Sequence, residues 1–350
     1  MNKHSFPLNA WYVAAWDHEI KKGVMTSRQI CDKPLVFYRK ADGSAVAMDD
    51  ACWHRLAPLS KGKLVGDNVV CPYHGLVYEP GGRCVHMPSQ ETINPSACVK
   101  AYPLIEKHRF IWIWPGDPAE ANPDLVPDLH WNDDPEWTGD GQCIHLEANY
   151  LLAVDNLMDL THETFVHSGS IGNDAVAEAP FNVNHGDGTA RVTRWIIDQD
   201  PPGFWGAQLG RPGKVDRWQI IDFVAPSTIA LDVGVAVTGT GAPEGDRSQG
   251  VNGYVLNSIT PESETTSHYF WAVVRNYNLG DMSLTISWRD AVAGIFKQDE
   301  DILAAQQLAI KRNPDKKFYD LNIDAGGMWA RRKVMEMMER ENERVRGAAQ

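Results

Sequence analysis

The chain has 350 residues, 43% of them hydrophobic and 23% charged, and carries a formal net charge of −13, so it is long enough for two cores and balanced like an ordinary globular protein. That acidity argues against a nucleic-acid partner, which needs a basic face, and no run of about eighteen apolar residues offers a membrane span. Met1-Asn2-Lys3-His4 lacks the apolar run of a secretory signal, which leads to the expectation of a cytoplasmic, reducing compartment.

Residues 8–118 read as all-β. Short runs rich in β-branched and aromatic residues (Trp11–Ala15, Pro34–Arg39, Ala45–Met48, Phe110–Trp114) are separated by turn residues such as Asp42-Gly43 and Gly81-Gly82. Between them lie Cys52-Trp53-His54 and, sixteen residues on, Cys71-Pro72-Tyr73-His74. Two thiolates and two imidazoles also suit a tetrahedral zinc. Zinc knuckles, however, usually keep like ligands together, as in C-x2-C or H-x3-5-H. One Cys and one His per loop fits a [2Fe-2S] cluster with thiolates on one iron and imidazoles on the other. Such a cluster relays electrons, so a second redox centre is expected further along. Cys31, Cys84, Cys98 and Cys143 show no ligand pattern and read as buried structural thiols. Pro115-Gly116-Asp117-Pro118 closes this domain, and residues 119–144, with Pro123, Pro127 and Pro135, read as an irregular linker.

The segment Asp155–His167 opens a second domain, residues 145–350. At about 100° per residue Asn156, Asp159 and His162 share one helical face, whereas His167 lies about 140° from His162. A π-type turn or a helix end between the two histidines would bring both rings to one point. Strands follow at Ala190–Ile197, Val215–Val224, Ile229–Val237, Tyr254–Thr260 and His268–Asn276, then helices at about Leu284–Lys311 and Met328–Arg346. A curved antiparallel sheet gripping a long helix fits that order, and its concave face is the place for a ligand cavity. Trp195, Trp205, Trp218, Phe223, Tyr269 and Trp271 are candidate lining residues. No glycine cluster follows a strand as a dinucleotide site requires, so electrons from NAD(P)H must arrive through a separate reductase.

In these residues the chain resembles the Rieske non-haem iron oxygenases. C-x-H and C-x-x-H are matched at Cys52, His54, Cys71 and His74, and D-x2-H-x4-H at Asp159, His162 and His167. The resemblance implies an α+β protein, with an N-terminal Rieske [2Fe-2S] domain and a helix-grip catalytic domain holding mononuclear Fe(II). It implies that Cys52 and Cys71 bind the inner iron, His54 and His74 the outer one, and His162 and His167 the mononuclear iron. Asp159 then links His162 to the neighbouring subunit's second Rieske histidine, matched here by His74, in a head-to-tail homotrimer. Asn156 stands near the iron without an assigned role. Registering the family's downstream segment on Gln298-Asp299 and Gln306 selects Asp299 as third ligand over Asp301, which points about 200° away on a helix. Two histidines and a carboxylate on one side of a metal leave positions for O2. Trp53 and Leu56 depart from the family, where Pro and Gly are frequent.

Within the family, Asn9–Ala14, Val215–Ile220 and Leu321–Gly327 are similar to oxygenase components that demethylate aromatic methyl ethers such as vanillate, while Thr238–Gly245 and Thr265–Tyr269 resemble arylsulfonate methyl hydroxylases. The expected function is O-demethylation of a methoxylated aromatic acid with O2 and reductase-supplied electrons. Methyl hydroxylation of an arylsulfonate, or demethylation of another aryl ether, is the alternative. A bare electron carrier of the Rieske type would lack the second histidine constellation. Arg194, Arg217 and His268 are candidate donors for a substrate carboxylate.

Overall fold

The computed structural model describes residues 5–348, apart from 89, 169, 170 and 173. Met1–His4, on which the reading of the N-terminus rested, lies outside them. The chain divides into two compact units, residues 1–126 with Thr260–Glu264, and residues 127–259 with 265–350.

The first unit is built from short strands, β1 (Tyr12–Trp16), β2 (Thr26–Ile30), β3 (Lys33–Arg39), β4 (Ala45–Asp49), β5 (Lys63–Val65), β6 (Asn68–Val70), β7 (Val77–Tyr78), β8 (Cys84–His86), β9 (Leu104–Lys107) and β10 (Phe110–Ile113). They form sheets of order β1-β10-β9, β2-β3-β4 and β5-β6-β7-β8. All five residues of β1 and all four of β10 are buried, which accounts for their continuous apolar runs. A core of Val36, Tyr38, Met48, Leu59, Val69, Leu76, Tyr78 and Met87 surrounds Cys52, Cys71 and Cys84. Cys31 and Cys84 are buried as expected, but Cys98 is exposed and Cys143 partly so, because each lies where its strand or bridge meets solvent.

The second unit holds β11 (Thr138–Leu146), α1 (Tyr150–Met158), α2 (Glu163–Val166), α3 (Asp174–Glu178), β12 (Phe181–His185), β13 (Thr189–Gln199), α4 (Gly203–Leu209), β14 (Val215–Val224), β15 (Thr228–Val237), β16 (Gly250–Pro261), β17 (Ser267–Arg275), α5 (Met282–Arg312) and α6 (Ala325–Ala348). Its sheet has seven strands in the order β11-β17-β16-β15-β14-β13-β12. The two edge strands, β11 and β12, escape the sequence pattern: both are half-exposed, and β11 (TGDGQCIHL) carries two glycines and little alternation. β11 therefore begins inside the stretch expected as linker, and the compact units divide between Val126 and Pro127.

Strand period two sorts the sheet into faces. Arg194, opposite Gln219, and Ile196, opposite Arg217, lie on the same side of β13 and β14. Trp195 and Trp218 pair on the other side. There Trp218 donates its indole N–H to Asp232 at 2.8 Å beneath the Arg247 guanidinium. α5 starts at Asp281, whose carboxylate accepts from the Leu284 amide at 2.9 Å, and ends with Lys311 and Arg312 facing its negative pole.

Candidate active site

The two ligand loops of the first unit repeat one backbone design. The Cys52 amide donates to Ala57 O and the Leu56 amide to Cys52 O; likewise the Cys71 amide donates to Leu76 O and the Gly75 amide to Cys71 O. Each loop turns at the fourth residue after its cysteine through positive φ, 57° at Leu56 and 73° at Gly75. A glycine meets that requirement without cost, whereas Leu56 meets it with strain. Both sulfur atoms are buried and both imidazoles exposed, with ring centroids of His54 and His74 4.7 Å apart. Tyr78 Oη lies 3.1 Å from Cys52 Sγ. Burial pushes the Cys71 thiol up, so a bound metal must supply the charge that holds a thiolate there. Buried sulfur donors inside and histidine donors outside fit a Rieske cluster.

In the second unit the chain leaves the helix at Asp159 (φ −128°, ψ 104°), three residues before His162. The expected continuous face of Asn156, Asp159 and His162 is thus interrupted ahead of the first histidine, and the expected helix end between the two histidines is present as well, after Val166. A 3-10 turn over Leu160–His162 runs into α2, and His167 caps its C-terminal end. Asp159 makes this possible: its carboxylate accepts from the Thr161 amide at 2.9 Å and starts the new turn. Its main-chain oxygen, not its carboxylate, meets His162 Nδ1 at 2.6 Å.

That contact fixes the His162 tautomer, because a carbonyl only accepts: Nδ1 carries the proton and Nε2 keeps its lone pair. His167 Nδ1 lies 2.7 Å from Gln298 Oε1 on α5 and is fixed in the same way. Both Nε2 atoms point at Asp299 Oδ1, at 3.5 Å from His162 and 3.2 Å from His167. Asn156 Nδ2 donates to the same oxygen at 3.2 Å. His162, His167 and Asp299 bring their ligand atoms within 4.8 Å of one another. Two imidazoles with outward-held Nδ1 protons and one buried carboxylate are the donor set of a non-haem Fe(II) site. Asp301 instead pairs with Lys297 at 3.0 Å on the exposed side of α5.

These three residues form part of the wall of a cavity of about 90 Å³. At roughly 10–15 Å³ per water-sized group, that space holds about six to nine such groups, the scale of one aromatic ring. The remaining wall is mostly apolar: Leu157, Leu160, Ile171 and Phe204, sheet residues Leu231, Val233, Val255 and Val273, and Trp288, Val292, Ile295 and Phe296 of α5. Of the aromatic residues expected to line it, Trp205 does. Trp195 and Trp218 lie on the opposite face, and Tyr269 and Trp271 pack beneath Phe296 with ring centroids 5.2 Å away. Phe204, Trp288 and Phe296 were not singled out from sequence, although helical spacing held a signal. Trp288, Val292, Ile295 and Asp299 follow at steps of four, three and four, one stripe of α5.

One polar group interrupts the apolar wall. Arg217 Nη2 donates to Glu163 Oε2 at 2.9 Å, Gln219 Nε2 donates to both Glu163 oxygens at 3.0 Å, and Arg217 Nη1 donates to Ile171 O at 3.2 Å. Arg217 and Glu163 line the cavity. Of the other two candidate donors, Arg194 is buried against Thr161 at 2.9 Å, with Asp159 at 3.6 Å, and His268 packs near His145; neither reaches the cavity wall.

A Rieske [2Fe-2S] domain family matches residues 10–103, and the vanillate O-demethylase oxygenase C-terminal domain family matches residues 146–340. The chain belongs to the Rieske non-haem iron oxygenases and is an iron-dependent monooxygenase using a [2Fe-2S] cluster and a mononuclear iron. It is 40% identical over 343 residues to a vanillate O-demethylase oxygenase subunit of Pseudomonas sp. (97% of this chain, 96% of the relative). It is 41% identical over 331 residues to a toluene-4-sulfonate monooxygenase system iron-sulfur subunit of Comamonas testosteroni (93% and 95%). A crystal structure of dicamba monooxygenase with non-haem iron and dicamba superposes with a TM-score of 0.83 at 32% identity, covering 96% of this chain and 98% of that one. Both relatives are subunits, one of a vanillate O-demethylase and one of a toluene-4-sulfonate monooxygenase system. No helix among the described residues is long and apolar enough to cross a membrane.

Proposed function

We propose that the protein O-demethylates a methoxylated aromatic acid of the vanillate type, yielding a phenol and formaldehyde. The observation that carries this reading is the ring-sized apolar cavity with His162, His167 and Asp299 at one end. The 40% identity to a vanillate O-demethylase subunit supports it. When bound, the cluster, held by Cys52, His54, Cys71 and His74, supplies single electrons, and the ferrous ion, held by His162, His167 and Asp299, supplies O2 activation.

The chain's own residues do the rest. Asp159 O and Gln298 keep both Nδ1 protons in place, so the histidines present Nε2. Asn156 holds the Asp299 carboxylate toward them. The apolar walls orient the ring with its methoxy carbon at the metal end and exclude water. One atom of O2 is inserted into a methyl C–H bond and the other leaves as water, using two reductase-supplied electrons and two protons; the resulting hemiacetal breaks to formaldehyde and the phenol. We assign the Asp159 carboxylate to the link with the adjacent subunit's cluster in a homotrimer, which sedimentation of the holoenzyme as a trimer tests and an active monomer overturns.

Vanillate turnover with a matching reductase should release protocatechuate and formaldehyde in equal amounts. The 41% identity to a toluene-4-sulfonate monooxygenase subunit favours a second reading, methyl hydroxylation. A benzyl alcohol formed from toluene-4-sulfonate, with vanillate untouched, would replace the first.

A further inference from the structure

The cavity wall contains five residues that can carry charge or bind metal: His162, Glu163, His167, Arg217 and Asp299. Three of them converge on the metal position. The other two, Glu163 and Arg217, form a buried ion pair with side chains 6% and 4% exposed. The pair needs a reason, since replacing such a pair with apolar residues is often neutral or stabilising.

Arg217 is built to be held and still to donate. Glu163 takes one of its Nη groups and Ile171 O the other. Gln219 braces Glu163 from the neighbouring position on the same strand face. The Arg217 Nε–H is buried without a hydrogen-bond partner among the described residues. A buried donor left unmade is costly, and an acceptor brought by a ligand removes that cost.

Charge balance says which acceptor. Glu163 offsets Arg217, and Asp299 offsets one of the two charges of a ferrous ion, while ligating histidines are neutral. One positive charge therefore remains in a buried, largely apolar chamber, where an uncompensated charge is expensive. A single oxyanion on the substrate closes the balance.

We propose that Arg217 is a specificity-determining residue that binds an oxyanion substituent of the arene, a carboxylate or sulfonate, with Glu163 and Gln219 as its positioning residues. This rests on the reading of the cavity as the arene site. The sequence offers two further candidates for this task, Arg194 and His268, and the fold removes both by placing them off the cavity wall.

The test uses the iron-loaded holoenzyme and its Arg217→Met and Arg217→Lys variants. Calorimetric binding is measured for vanillate, toluene-4-sulfonate and guaiacol, which is vanillate without its carboxylate. Arg217→Met should weaken binding of the preferred anion about 10- to 100-fold, the scale of a lost hydrogen bond between charged groups, and leave guaiacol within about twofold. Arg217→Lys should fall between, since lysine keeps the charge but not the fork. Comparing anion with guaiacol within each variant separates recognition from general damage. Equal losses for anion and guaiacol, or unchanged anion binding, would overturn the assignment, as would a wild-type protein that binds neither anion. Arg217-dependent binding of vanillate without formaldehyde release would sink the demethylase reading while leaving Arg217 as the oxyanion reader. The two anions, compared in the wild type, show whether carboxylate or sulfonate is preferred.

Discussion

Asn156 illustrates how little a single residue need do to matter at a metal site. Its amide reaches from α1 to Asp299 Oδ1 at 3.2 Å, and Gln298 similarly reaches His167 Nδ1 at 2.7 Å. On the reading proposed above, neither is a ligand and both orient ligands. Groups of this kind typically govern metal affinity about 10- to 100-fold. Asn156→Ala is therefore expected to lower ferrous-ion affinity by about that factor while leaving the cluster's visible spectrum unchanged. Metal titration of the iron-stripped protein checks this, and an unchanged affinity would remove Asn156 from the site. Leu56 is a residue-scale cost of another kind. It adopts φ 57° in the first ligand loop, where its counterpart in the second loop is Gly75. Leu56→Gly should raise stability by about 1 kcal/mol, read as a higher melting temperature of the holoenzyme.

At the scale of elements, α1, α5 and α6 place the site together. α5 supplies Gln298 and Asp299 from its inner stripe and leaves Asp301 on the outside. The first turn of α6, Ala325-Gly326-Gly327, packs closely on α1 and β13, and a side chain at Gly326 would be crowded there. A Cβ on Gly326 would stand 2.5 Å from Val192 Cγ2 and 3.1 Å from Met158 O, the last residue of α1. Arg331 of α6 then clasps Asp155 of α1 through Nε at 2.8 Å. Two effects oppose one another in Gly326→Ala. Helix propensity favours alanine by about 1 kcal/mol, while overpacking costs about 1–3 kcal/mol. With one contact at 2.5 Å and another to backbone, packing should win. A lower melting temperature is expected, and a higher one would show that β13 yields.

For the whole molecule, the two metal-binding constellations belong to separate compact units, each with its own buried core. His162→Ala is accordingly expected to abolish mononuclear iron binding and turnover while preserving the Rieske spectrum, so iron per chain falls from three to two. Loss of both signals together would contradict separate sites. The sequence by itself pointed to the two Cys-His loops and the histidine pair as candidate ligands, because metal ligands need fixed residue types at fixed short spacings. It also determined the inner strands and the two long helices, whose apolar periodicity is strong. Tertiary structure alone decided the edge strands β11 and β12, held by pairing rather than composition, and the break at Asp159. It alone decided which aromatics reach the cavity, since strand parity sends Trp195 and Trp218 to the far face. The choice of Arg217 over Arg194 and His268 belongs there too: all three are strand residues of similar chemistry, and only the position of each on the folded sheet sets one against the cavity.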